Sequence, residues 1–191
     1  MEYGGFWRRL GAFVVDGLIM LPVAMAVIYW GLPSSKFFMI WWLLPAVALN
    51  TVYNIYFVTL WGGTPGLLLF RLRIRMLDHA PVTLKAAVIR YGVLWTMGTI
   101  MACGGVIGTL RIDDTAYLSM SAPQIASEMT RLQPGWSRLA SKVFQYWAYA
   151  EFFTLLFNKQ RRALQDYMAG TVVVKASSLP ANGPALVNTA L

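Results

Sequence analysis

The first long apolar run of the chain opens with Arg8-Arg9-Leu10-Gly11-Ala12-Phe13-Val14-Val15-Asp16, which carries an arginine to its edge and a carboxylate into its interior. On a helix, Arg9 and Asp16 share one face, about 10 Å apart along the axis. An ionised, unpaired carboxylate in a bilayer costs about 2.5–3.5 kcal/mol or more. Two chemistries answer that cost. Asp16 can lock helices together by pairing with an arginine, or it can bind and release a proton or a monovalent cation during transport. Other polar residues in apolar surroundings are candidates for the same work. Asn50 and Asn54 stand i, i+4 in the second run and share a face, which should point into a helix bundle as interhelical glue or as the lining of a polar path. Arg90 starts the third run, and Glu151 lies too deep in the fourth to snorkel. In a transporter Asp16 would be the ion-coupled group, helped by Glu151, Asn50 and Asn54, with Arg9 and Arg90 tuning its proton affinity.

Other chemistries lack their residues. No nucleophile, base and orienting group stand in a recognisable motif, so an enzyme is not expected. The single cysteine, Cys103, excludes an intrachain disulfide, and the single histidine, His79, has no second ligand near it, so no metal or other cofactor is expected. The turn Gly62-Gly63-Thr64-Pro65-Gly66 lacks the lysine and hydroxyl of a phosphate-binding loop. The net charge of +8 invites a nucleic-acid partner. That reading fails because the basic residues flank apolar runs and are not gathered on one polar element.

The elements that must hold these residues are membrane helices. Of the residues, 58% are apolar and only 13% charged, which is too apolar for an ordinary soluble domain. Four spans are expected, over about 12–32, 37–61, 83–110 and 139–157. The first reads as a retained span, not a cleaved signal, because its run is long and aromatic. Pro22 predicts a kink near Met20–Leu21, and Gly31–Lys36 a tight loop. Gly104-x-x-x-Gly108 has the spacing of close helix packing. Residues 111–136 form the longest polar loop, with a short amphipathic helix over Ala122–Met129 capped by Ser121. Asn158–Gly170 reads as an amphipathic turn or short helix stopped by its glycine.

Two stretches change period. Phe70–Met76 alternates apolar and basic residues as a half-buried strand does, and Thr171–Val174 is β-branched. Residues 1–175 form one membrane domain, and 176–191, rich in Ser, Pro, Asn and Ala, a disordered tail. Arg8, Arg9, Arg71, Arg73, Arg75, Lys159, Arg161, Arg162 and Lys175 fall on one side of the four-span arrangement. The basic-rich side is the cytoplasm, so both termini are expected inside and the 122–129 helix outside. The two strands then meet at one interface, where pairing satisfies their backbone groups. The expected fold is thus all-α in the membrane, with four transmembrane helices, an extracytoplasmic amphipathic helix and a small cytoplasmic two-strand pairing.

Three motifs, in order and at membrane boundaries, resemble the RDD family of bacterial membrane proteins. They are Arg9-x-x-Ala12-x-x-x-Asp16, Gly62-Gly63-Thr64-Pro65-Gly66 and Arg162-Ala163-Leu164-Gln165-Asp166-Tyr167-Met168-Ala169-Gly170-Thr171. The arginine and two aspartates that name the family map to Arg9, Asp16 and Asp166. Leu67 stands where the family usually has a basic residue, and Gln165 where it has a histidine. The resemblance implies a multi-pass protein of the bacterial cytoplasmic (inner) membrane, and for some members an activity like cation/proton exchange. Two functions stay open. One is a small transporter of monovalent cations and protons that works as an oligomer; the other is a non-catalytic accessory subunit of a larger membrane complex. Strand pairing would gather Arg9, Asp16 and Asp166 into one cluster, with Arg161 and Arg162 beside it.

Overall fold

A computed structural model describes residues 2–157 and 161–179. Helix α1 runs over Phe6–Ser34. It begins well before the expected start, so Arg9 lies inside the helix and not ahead of it. The chain stays α-helical through Pro22 to Ala26 and then widens into a π-helical turn at Val27–Gly31, so the irregularity falls about two turns beyond the proline. Leu32–Ser34 is still helical, which shortens the expected loop to the turn around Ser35–Phe37. Helix α2 comprises Phe38–Thr51, a second π turn at Val52–Tyr56, and Phe57–Trp61. Gly62 ends it in the left-handed region (φ 72°), a conformation that glycine adopts without a Cβ penalty. Thr64 then leads into a five-residue helix, α3 (Pro65–Leu69), with proline in its first turn.

Helix α4 covers Leu84–Leu110 and is capped by the Thr83 hydroxyl, which accepts from the Ala86 N–H at 3.2 Å. The polar loop holds two helices where one was expected. The first, α5 (Asp114–Ser119), is capped by Asp113, which accepts from the N–H groups of Thr115 and Ala116. The second, α6 (Ala122–Leu132), starts at Ser121, whose N–H donates to the Gln124 side chain at 2.8 Å. Helices α7 (Gly135–Phe157) and α8 (Leu164–Ala169) follow, and Gly170 stops α8 at φ 62°. The tail begins with a 3₁₀ turn at Ala176–Ser178; most of the expected disordered tail, and residues 158–160 of the expected basic turn, lie outside the described residues.

The other helices pack around α4. It contacts α2, α6, α7 and α8. Its apolar stretch is 22% buried against 6% for that of α1, which marks α4 as the inner helix and leaves α1 mostly facing outward. Its glycines permit the approach. A Cβ on Gly104 would meet the Ser137 side chain of α7, and one on Gly108 the Met129 carbonyl of α6. Leu32, Ile112, Tyr117 and Ile125 form a core under the α5–α6 layer. At the opposite end a second core joins Val58, Ala86, Ala87 and Tyr91 to a sheet.

That sheet pairs β1 (Leu72–Met76) with β2 (Thr171–Lys175) in antiparallel register. Leu72 and Ile74 face the core, as their alternation with arginine predicts. The strand starts later than expected, because Arg71 sits at φ 55° and turns the chain. The free edge of β2 receives the N-terminal lead: Gly4 N–H donates to the Val173 carbonyl at 2.8 Å, and Lys175 N–H to the Glu2 carbonyl at 2.9 Å. Three helical segments, Phe6–Ser34, Phe38–Leu69 and Leu84–Leu110, are long and apolar enough to cross a membrane.

The register is testable by cross-linking. Arg73 opposes Val174, and Val173 opposes Ile74. In a Cys103→Ser background, Arg73→Cys with Val174→Cys should oxidise to a disulfide, because opposed Cα atoms lie about 4.5–5.5 Å apart. Arg73→Cys with Val173→Cys places the thiols on opposite faces and should stay reduced. The reverse result, read by gel mobility, would mean a one-residue slip.

Candidate functional site: two anchored carboxylates

Helix α8 is too short to be stable alone, so its position depends on what it binds. Its third residue, Asp166, is wholly buried, and Oδ2 accepts the Ala163 N–H at 2.9 Å, closing the helix start. The same oxygen accepts from Arg9 Nη1 of α1 at 2.7 Å. Oδ1 pairs with Arg90 Nη1 of α4 and accepts the Thr171 hydroxyl of β2 at 3.4 Å. Arg90 Nη1 also donates to Thr171 Oγ1 at 2.8 Å. Arg9 and Arg90 are themselves buried, at 8% and 3% exposure, so the pairs work in low dielectric. Arg162 closes the turn between α8 and β2. It donates from Nε to the Thr171 carbonyl (3.1 Å) and from Nη2 to the Asp166 carbonyl (3.0 Å), and stacks over the Tyr167 ring.

Glu151 of α7 joins this cluster. Its Oε1 accepts the Gln165 N–H at 2.9 Å, another start-of-helix donor of α8. Its Oε2 has no hydrogen-bond partner among the described residues, nor do Arg9 Nε and Nη2, Arg90 Nε and Gln165 Oε1. Buried donors and acceptors are therefore left over beside a saturated carboxylate.

Asp16 lies elsewhere. Oδ1 accepts from the Tyr53 hydroxyl (2.6 Å) and the Gly66 N–H (2.7 Å), and Oδ2 from the Thr64 hydroxyl (2.6 Å). The Gly-rich turn thus does bind an anion at its backbone, but the anion is the chain's own carboxylate. Gly66 is required by contact, since a Cβ there would strike the Ala12 carbonyl and stand 2.7 Å from the Asp16 carboxylate.

The expected single cluster is therefore two sites. Arg9 meets Asp166 but not Asp16, because seven residues of helix separate the two positions on α1. Arg90 and Glu151, expected to serve Asp16, serve α8. Tyr91 is buried and in electrostatic reach of groups from both sites, Asp16 on one side of the division and Arg90 and Glu151 on the other. Asn50 and Asn54 belong to neither. The Asn54 amide donates to the Asn50 side chain at 2.8 Å, and Asn50 is exposed on the outer surface, where a bundle-facing position was expected. An i, i+4 amide pair that satisfies itself loses the drive to turn inward. Sequence reasoning missed Tyr53 and Thr171, whose hydroxyls look like ordinary apolar-run and strand residues. Thr64 had a signal, as an N-cap type directly before proline.

Replacing Asp166 with asparagine removes the charge between two buried guanidiniums. Asp166→Asn should lose about 3–5 kcal/mol of stability, read as a lower unfolding midpoint in detergent. Gly66→Ala should also lower that midpoint, by displacing Asp16 although all its partners remain. An unchanged midpoint in Asp166→Asn would contradict the anchoring role.

The family model described as "RDD family" matches residues 3–170. No curated protein and no solved structure matches the chain. The matched stretch takes in both carboxylates, the two arginines that pair with one of them, the Gly-rich turn that holds the other, and nearly every element that positions them: the chain belongs to the RDD family.

Proposed function

We propose that this membrane protein is a non-catalytic scaffold, a structural or accessory subunit that assembles with other membrane proteins or with copies of itself in a bacterial cytoplasmic membrane. The observation that carries this reading is saturation. Asp166 accepts at all four of its lone-pair positions and Asp16 at three of four, so the chain's own donors hold both carboxylates. Groups tied in this way hold helices together. Assembly draws support from the outer face of α2 and α4. The exposed Asn50 amide stands 3.8 Å from where a Cβ on Gly98 would be, and Gly92 has open space beside it. The bond from Asn54 satisfies the Asn50 oxygen and not its N–H groups, which are costly on lipid, and a partner helix can approach closely over glycine.

The proposal includes four spans and cytoplasmic termini. Helix α7 has 23 residues, enough for about 34 Å, and Leu139, Tyr146, Phe153 and Leu156 on it are exposed and apolar or aromatic. Its Glu151 is buried, so its charge is kept off lipid. The arginine bias of the sheet end supports an inside position for both termini.

Cation/proton exchange is the second reading, and one observation favours it: the open Oε2 of Glu151 among unfilled buried polar atoms. In that case the coupled group is Glu151, not Asp16. Purified protein in liposomes separates the two. The scaffold reading expects no cation flux above empty liposomes at any pH. It also expects Asp16→Asn to lower stability, by about 1–3 kcal/mol, together with partner recovery on purification. A pH-dependent flux that Glu151→Gln abolishes would overturn it in favour of exchange.

A further inference from the structure

Two adjacent arginine pairs in this chain are divided in the same way. Arg9 is buried in the ion cluster while Arg8 is exposed; Arg162 is buried against α8 while Arg161 is exposed. The outward members, from opposite ends of the chain, line one open cleft of about 460 Å³ together with Lys175. The cleft lies at the start of α1, on the sheet end of the molecule. Gly5 keeps it tight, since a Cβ there would stand 3.0 Å from Arg161 Nη1. The one acidic residue of its lining, Glu2, is ion-paired with Lys175, whereas Arg8 and Arg161 form no ion pair among the described residues. Beside them Trp7, 79% exposed, stands edge-on to Phe6. An exposed indole at the end of a spanning helix sits at headgroup depth.

We propose that this cleft binds the headgroup of an anionic phospholipid, with Arg8 and Arg161 on the phosphate and Trp7 at the glycerol level. Guanidiniums match phosphate oxygens in a planar, two-donor geometry. A basic cleft at the membrane surface draws anionic lipid from a mixed leaflet. The occupant is a lipid and not a soluble phosphate, because the cleft opens beside an exposed belt aromatic at the end of an apolar helix. The inference rests on α1 crossing the bilayer and is independent of whether the protein is a scaffold or an exchanger.

Native mass spectrometry of the full chain, released from detergent with equimolar phosphatidylglycerol and phosphatidylcholine, tests it. The wild type should retain phosphatidylglycerol preferentially. Arg8→Gln with Arg161→Gln should cut that preference by about five-fold for each arginine removed. Arg8→Lys with Arg161→Lys, which keeps the charges, should retain most of it, and guards against loss through misfolding. Millimolar inorganic phosphate should not displace the lipid. The proposal is overturned by equal retention of the two lipids in the wild type, by an undiminished preference in the glutamine pair, by a lysine pair as deficient as the glutamine pair, or by displacement with inorganic phosphate.

Discussion

A carboxylate without solvent exposure, held between guanidiniums from two membrane helices, sets the geometry of the sheet end of this molecule. Asp166 on its own would be intolerable in that environment, and so would Arg9 or Arg90. Each is admissible only where the others already stand, to within hydrogen-bond distance. The relative position of α1, α4 and α8 is therefore fixed more sharply than apolar packing could fix it, since apolar side chains tolerate sliding and a buried ion pair does not. Helix α8 has six residues and could not persist without this contact.

From that anchor the rest of the end follows in sequence order. Gly170 turns the chain out of α8 directly into β2, so the anchored helix delivers the strand to a fixed place. β2 has two edges to satisfy. β1 takes one, and the lead into α1 takes the other through the Glu2 and Gly4 backbone groups. The lead then passes into α1, which carries Arg9 back to Asp166. The two ends of the domain are closed on each other by one ion pair and one shared strand, although 157 positions separate the paired residues.

Much of this was legible in the sequence, for identifiable reasons. Period-two alternation in Phe70–Met76 and β-branching in Thr171–Val174 announced two strands, and a strand at an interface needs a partner. Helix ends were legible where a cap or a glycine marks them, as at Ser121 and Gly170. What failed was spatial assignment of charge. Arg9 and Asp16 share a helical face in the sequence, yet seven residues of helix put them in different layers, and each found its partner from another element. The π turns carry no residue signature, and the asparagine face was misjudged because two amides four apart can satisfy one another. Polar residues in apolar runs can be picked out of a sequence; which of them meet depends on helix rotation and depth, which one sequence does not encode locally.

The charge balance of the buried cluster gives Glu151 a definite part. Arg9, Arg90 and Arg162 bring three cations to the neighbourhood, and Asp166 answers with one anion. Arg162 is stabilised mainly by backbone carbonyls, which leaves two guanidiniums shared over a single carboxylate. Glu151 of α7 stands in electrostatic reach of both guanidiniums and forms an ion pair with neither among the described residues. It caps α8 through the Gln165 N–H, so one oxygen serves structure while the other has no hydrogen-bond partner among the described residues. That division ties α7 to the same anchor as α1 and α4. It also gives the carboxylate of the most polar long helix a hydrogen-bond partner inside the bundle, which burial of a polar group requires.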